Sequence, residues 1–155
     1  IIRTSWLVGP WRNNFVKTIL TKLKDFDNEE SLNIVSDQVG CITTTESLGK
    51  LILLLINQKF KNERLPTHLH WCSTGETSWY QIALSIKEIS RKLNYINSER
   101  FINPISTNEY ESSCPRPKYS VLDNKETEKI FNIKSNHWEK DLKLLIKKIK
   151  DENIL

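Results

Sequence analysis

The chain has 155 residues, of which 38% are apolar and 27% charged, with five tryptophans and a net charge of +4; that suits one globular domain with a modest core. The positive excess lies mainly in helix-like segments such as Lys140 to Lys150, where Lys and acidic residues mix, which reads as a solvated face and sets aside a nucleic-acid partner. No apolar run approaches the roughly 18 residues that cross a bilayer, since Leu51 to Ile56 is far too short, and no membrane partner is expected.

In chain order, Ile1 to Pro10 reads as a core strand already in progress. Its leading Ile-Ile pair has none of the regions of a signal peptide, and there is no Met anywhere. A strand opening at residue 1 needs neighbours from elsewhere to pair its backbone. The chain is therefore expected to be the back part of a longer protein, with room for a catalytic apparatus upstream of Ile1. Gly9-Pro10 breaks this run, and Asn13 or Asn14 caps a helix carrying Phe15, Val16, Ile19, Leu20 and Leu23 at helical spacing. Leu32 to Val35 is a short strand, Asp37 to Gly40 a turn, and Thr43 to Thr45 lead into a helix with Leu48, Leu51, Ile52, Leu55 and Ile56 as its apolar side. Asn62 to Pro66 is a polar loop.

Leu69 to Cys72 is expected to be a buried strand and Ser73 to Glu76 a turn, after which Thr77 or Ser78 caps a helix bearing Ile82, Ala83, Ile86, Ile89 and Leu93. Phe101 to Ile105 is a short strand ended by its proline, followed by an irregular polar segment to Tyr119. Asp123 or Asn124 starts a helix to about Phe131, and Trp138 to Ile149 forms the last, with Trp138, Leu142, Leu145, Ile146 and Ile149 on one stripe. Strands alternating with helices indicate an α/β fold.

Cys41, Cys72 and Cys114 are widely spaced, odd in number and free of any CxxC pattern, which points to reduced thiols in a cytoplasmic protein. His68, His70 and Cys72 would share one face of a strand, so two readings meet there. One is a metal-ligand row. The other, which is favoured because a first-row metal normally needs a fourth ligand or an open, oriented site, is a pair of hydrogen-bonded imidazoles.

Five ordered blocks carry a resemblance: Arg3 to Gly9 followed by Asn14 to Thr18, Asp37 to Gly40, Thr77 to Tyr80, Pro104 to Tyr110, and Arg116 to Asn124. In order and spacing they resemble the dTDP-4-dehydrorhamnose reductase family across essentially the whole chain. The resemblance implies the C-terminal part of a Rossmann-type extended short-chain dehydrogenase with its smaller substrate-binding region, residues 1–155, the N-terminal cofactor-binding part being absent. It implies reduction of the C4 ketone of dTDP-4-dehydro-L-rhamnose by hydride from NADPH or NADH, with Mg as a further candidate cofactor and a homodimer of the full-length protein as a candidate assembly. In that family the glycine-rich turn and the Tyr-x-x-x-Lys pair precede the Arg-Thr-Ser-Trp strand. Here Tyr80 and Tyr95 lack a Lys four positions on, and glycines stand only at 9, 40, 49 and 75, so no catalytic residue is expected within the chain and no dinucleotide fingerprint can be built. The chain departs from the family at Gly40-Cys41-Ile42-Thr43, where a proline is usual, and at Ser113-Cys114-Pro115, in place of a proline-rich basic run.

Binding a nucleotide-sugar takes a flat apolar surface, positive charge for the diphosphate, and hydroxyls or amides for orientation. Trp6 leaves a core strand at its C-terminal end, where open α/β sheets place ligands; the resemblance puts it against the sugar, and its plainer reading is a core tryptophan. Arg116 sits between two prolines, so its backbone is stiff and its guanidinium pre-positioned for a diphosphate; the plainer reading is a solvated loop arginine. Ser120 and Asn14 are candidates for diphosphate or sugar hydroxyl contacts, and Gln38 with Thr43 for the base pocket. Trp71, Trp79 and Trp138 read as packing residues. Two other functions compete: a sugar epimerase or dehydratase of the same superfamily, and a non-catalytic reductase-like subunit that holds a partner enzyme.

Overall fold

The structure, a computed structural model, describes residues 1–25, 31–60, 64–111 and 114–155. Among these residues the backbone is organised as four short pairs of strands against which five α-helices pack. Strand β1 (Ile2–Arg3) lies parallel to β6 (Leu69–His70), β2 (Leu7–Val8) parallel to β5 (Thr43–Thr44), and β3 (Leu32–Val35) parallel to β8 (Ile102–Ile105). β4 (Val39–Gly40) and β7 (Thr77–Ser78) pair antiparallel. Between them run α1 (Phe15–Lys24), α2 (Thr45–Phe60), α3 (Trp79–Lys92), α4 (Lys125–Phe131) and α5 (Trp138–Asp151).

The opening stretch is two strands and not one. Trp6 takes a left-handed backbone, φ +42°, which cannot continue an extended ladder, so β1 and β2 part there and go to different partners. A bulky residue in that region costs about 1–3 kcal/mol and persists only where surroundings hold it. The expected strand Leu69 to Cys72 is likewise shorter, although the Trp71 N–H still donates to the Arg3 carbonyl at 3.0 Å. The expected turn at 37–40 ends in β4, because the Val39 and Gly40 backbones meet Ser78 and Thr77. Pro104 lies inside β8 and does not end it. Phe101 and Ile105 present their carbonyls to Leu32 and Ser36, so the even-numbered positions face away from β3 and the absent N–H of Pro104 costs no ladder bond.

Helix starts follow local chemistry. The Asn14 side chain accepts from the Lys17 N–H, and the Ser78 hydroxyl accepts from the Gln81 N–H. Asn124 stands at the start of α4 without a side-chain cap; its carboxamide instead grips the Cys72 backbone, accepting from the N–H at 3.1 Å and donating to the carbonyl. The main core joins α1, α3 and α5 through Val16, Ile19, Leu20, Ile82, Ile86, Leu142 and Ile146, each such side chain being worth about 1.5–3 kcal/mol on burial. A second cluster packs Leu51 against Leu69, Trp71 and Phe131. Around α2 the expected stripe holds in part: Leu51 is buried and Leu48 and Leu55 pack with it, but Leu54 joins them while Ile52 and Ile56 are exposed. Leu51 to Ile56 is apolar all round, so the sequence period does not select a face there and the contact with Trp71 does. Of the expected polar loop 62–66, Asn62 and Glu63 lie outside the described residues, as does Ser113.

Candidate functional site

A cavity of about 720 Å3 opens between the Trp6 corner, α1, β3 and the 110–120 segment. One wall is aromatic. Trp6 and Trp79 stack with ring centroids 3.9 Å apart and planes 19° from parallel, and Phe15 tilts against Trp79 at 4.6 Å. Trp79 is the first residue of α3, so the Ser78 cap that starts the helix also aims this indole at the cavity. Gly40 makes room for Trp6: a Cβ built there would stand 2.6 Å from Trp6 Cζ2 and 2.8 Å from Ser120 Oγ.

Two cations, the exposed Lys22 and Arg116, also line the space. Arg116 makes no hydrogen bond or ion pair with the described residues, so its five donors are available to an anion. Gln38 is 6% exposed and its amide is directed on both sides. Its Oε1 accepts from Trp79 Nε1 at 3.2 Å and its Nε2 donates to Thr107 Oγ1 at 3.2 Å. The Thr107 N–H and hydroxyl donate in turn to Asp37 Oδ1 at 2.8 and 2.6 Å. The Thr107 hydroxyl holds the Asp37 carboxyl below its ordinary value.

The cavity therefore gathers Trp6, Gln38, Arg116 and Ser120 from distant parts of the sequence. Asn14 and Thr43 lie outside its lining, and both are engaged within the protein. Asn14 caps α1 and donates to the Gly9 carbonyl at 2.8 Å. Thr43 is fully buried, donates to the Ser5 carbonyl at 2.6 Å and accepts from the Thr4 hydroxyl at 2.6 Å. Trp71 and Trp138 are packing residues, at 4% and 7% exposure. Trp79 packs against the main core too and in addition lines the cavity. The signal for it lay in its place one residue after a cap, which turns the first helical side chain toward the strand end. Lys22 and Phe15 carried no signal beyond helical spacing.

The cysteine and histidine readings resolve on contacts. His68 is exposed and hydrogen-bonded to Thr67 at 3.0 Å, while Cys72 turns inward so that its sulfur lies 2.8 Å from that of Cys41. Sharing a proton lowers the Cys41 thiol and, with burial, raises that of Cys72. Among the described residues no group of three or more His, Cys, Asp or Glu side chains could hold a metal ion, and no described helix is long and apolar enough to cross a membrane. A second cavity, about 650 Å3 between α2 and α5, is lined largely by leucines, lysines and short polar side chains, and none of the expected site residues reaches it.

Residues 1–151 match the family model of the RmlD substrate binding domain. The chain belongs to that family. It is 35% identical to the spore coat polysaccharide biosynthesis protein SpsK of Bacillus subtilis over 92% of this chain and 45% of that one. It is 30% identical to a dTDP-4-dehydrorhamnose reductase of Aggregatibacter actinomycetemcomitans, over 92% of this chain and 48% of that one. The crystal structure of dTDP-4-dehydrorhamnose reductase from Bacillus anthracis in complex with NADP superposes with a TM-score of 0.79 at 30% identity, covering 95% of this chain and 47% of that one. The RmlD-type chain thus spans about half the length of the relatives it matches, and its mixed α/β architecture is that of the family.

Proposed function

We propose that this chain is the sugar-nucleotide-binding portion of a dTDP-4-dehydrorhamnose reductase acting on dTDP-4-dehydro-L-rhamnose. The observation that carries the reading is that an indole stack and two cations line one cavity of about 720 Å3. A nucleoside diphosphate sugar has the complementary parts: flat or apolar faces for the stack and a diphosphate for the guanidinium. Arg116 and Lys22 hold the diphosphate, Trp6 and Trp79 bound the sugar or base, and the Ser120 hydroxyl orients a ligand oxygen. Gln38 keeps one N–H beyond its two bonds for the same purpose. Family membership and the relatives named reductases support this choice over an epimerase.

The residues present do not fit a nicotinamide dinucleotide. Glycines 9, 40, 49 and 75 are scattered over separate elements, and no Tyr-x-x-x-Lys pair stands on any of the five helices. The NAD(P)H site and the catalytic Tyr-Lys pair are accordingly assigned to a segment outside this sequence, and this chain alone is expected to turn over no keto-sugar. Its own task is to bind and orient. In an enzyme completed by such a segment, Arg116→Ala should raise KM for the dTDP-sugar by one to two orders of magnitude with a smaller change in kcat, because a diphosphate clamp acts alike in ground and transition states. Trp6→Ala should lower kcat as well, since misplacement at the reacting carbon is costly. Unchanged affinity for the dTDP-sugar in a folded Arg116→Ala enzyme would sink the assignment.

A further inference from the structure

Asp37 and Thr107 belong to no wall of the cavity, yet the hydrogen bonds that shape it converge on them. The direction of the chain has a single solution. A carboxylate only accepts and an indole N–H only donates, so from Trp79 Nε1 through the Gln38 amide and the Thr107 hydroxyl to Asp37 Oδ1 every donor is assigned. One end thereby fixes the rotation of the Trp79 indole, on which Trp6 stacks at 3.9 Å. The other end fixes Thr107 by its two bonds to Asp37 Oδ1. The residues just after Arg116 are held to the same turn: the Val39 N–H donates to the Lys118 carbonyl at 2.8 Å, and the Ser120 N–H donates to the Val39 carbonyl at 2.8 Å. Residues 37 to 39 therefore hold Thr107 and the backbone after Arg116, and Gln38 among them holds the Trp79 indole.

We propose that Asp37 is the positioning residue of the site, acting through Thr107 and the Gln38 amide to hold the indole stack in place within the cavity that Arg116 also lines. The proposal rests on the sugar-nucleotide reading for its ligand and on contacts within the chain for its mechanism. Its chemistry is specific. Both Thr107 donors end on the same oxygen, Oδ1, and an asparagine carboxamide reproduces that acceptor, whereas alanine does not. A residue whose charge met the ligand or a metal directly would not tolerate asparagine.

The test uses the purified 155-residue chain and its Asp37→Ala, Asp37→Asn and Thr107→Val variants, each checked for a cooperative melt. Near-ultraviolet circular dichroism reads the coupling of the two stacked indoles without any ligand, and calorimetric titration with dTDP reads the site. Asp37→Ala and Thr107→Val should lose the coupled indole signal and bind dTDP about tenfold more weakly, the effect of one lost hydrogen bond. Asp37→Asn should restore both. Asp37→Ala with an intact indole signal overturns the proposal, and so does Asp37→Asn behaving like Asp37→Ala. If the unsubstituted chain shows the indole coupling but no affinity for dTDP, the sugar-nucleotide reading fails while the indole signal of the variants still decides the role of Asp37. Should Asp37→Ala not fold, Thr107→Val carries the same comparison, because it removes the middle link and leaves the carboxylate in place.

Discussion

Gly40→Ala tests the packing that holds the strained tryptophan. The added Cβ would stand 2.6 and 2.7 Å from Trp6 Cζ2 and Cε2 and 2.8 Å from Ser120 Oγ, against an ordinary carbon separation of about 3.5–4.0 Å. The Ser120 hydroxyl can rotate away. The indole cannot, because Trp79 backs it at 3.9 Å, so a shift of about 1 Å must break either the stack or the Trp6 backbone conformation. Overpacking of this kind costs about 1–3 kcal/mol, and losing the aromatic pair would add about 0.5–1.5 kcal/mol. For a chain of this size that lowers Tm by roughly 3–18 °C. Gly49→Ala is the internal comparison: it lies within α2 with nothing inside 4 Å of the new Cβ, and should stabilise by about 0.5–1 kcal/mol through helix propensity. Thermal melts and near-ultraviolet circular dichroism of both variants read the outcome. A Gly40→Ala protein that melts within a degree of the parent and keeps its indole signal would refute the argument that Gly40 exists to seat Trp6.

Thr43→Val should destabilise by about 0.5–1.5 kcal/mol in denaturant titrations, since it removes the bonds that the fully buried Thr43 hydroxyl makes with the half-buried Ser5 carbonyl and the exposed Thr4 hydroxyl; an increase in stability would show that these bonds are not made. Thiol titration of the native protein should modify Cys114, which is exposed, and spare the buried Cys41 and Cys72, with all three reacting after unfolding. Rapid modification of a second thiol in the native state would contradict that burial. The Asp37 carboxyl lies below its ordinary 3.8 because the Thr107 hydroxyl and N–H donate to it, so its contribution to stability is complete above that value and is lost as pH falls through the lower folded value. The loss of stability in denaturant below pH 4 should therefore be smaller in Asp37→Asn than in the parent chain; an equal loss in the two would contradict it.

The sequence by itself determined what depends on neighbours along the chain. Asn14 and Ser78 announced helix starts because a short polar side chain beside an apolar period satisfies the exposed N–H groups of a first turn. The stripes of α1, α3 and α5 were legible because each has one apolar side, and the ordered blocks from Arg3 to Asn124 were enough to indicate the family. What the tertiary structure decided depends on partners far apart in sequence. Nothing local to Trp6 requires a left-handed backbone; Gly40 and Trp79 impose it from 34 and 73 residues away. Ile52 and Leu54 are equivalent in an all-apolar run until Trp71 and Leu69 cover one side of α2. Thr43 and Asn14 offer the same groups a ligand would want, and only the folded chain shows Ser5, Thr4 and Gly9 already using them. Asp37 showed in the sequence as a turn residue, because a hydrogen bond spanning 70 residues leaves no periodic trace in the chain that makes it.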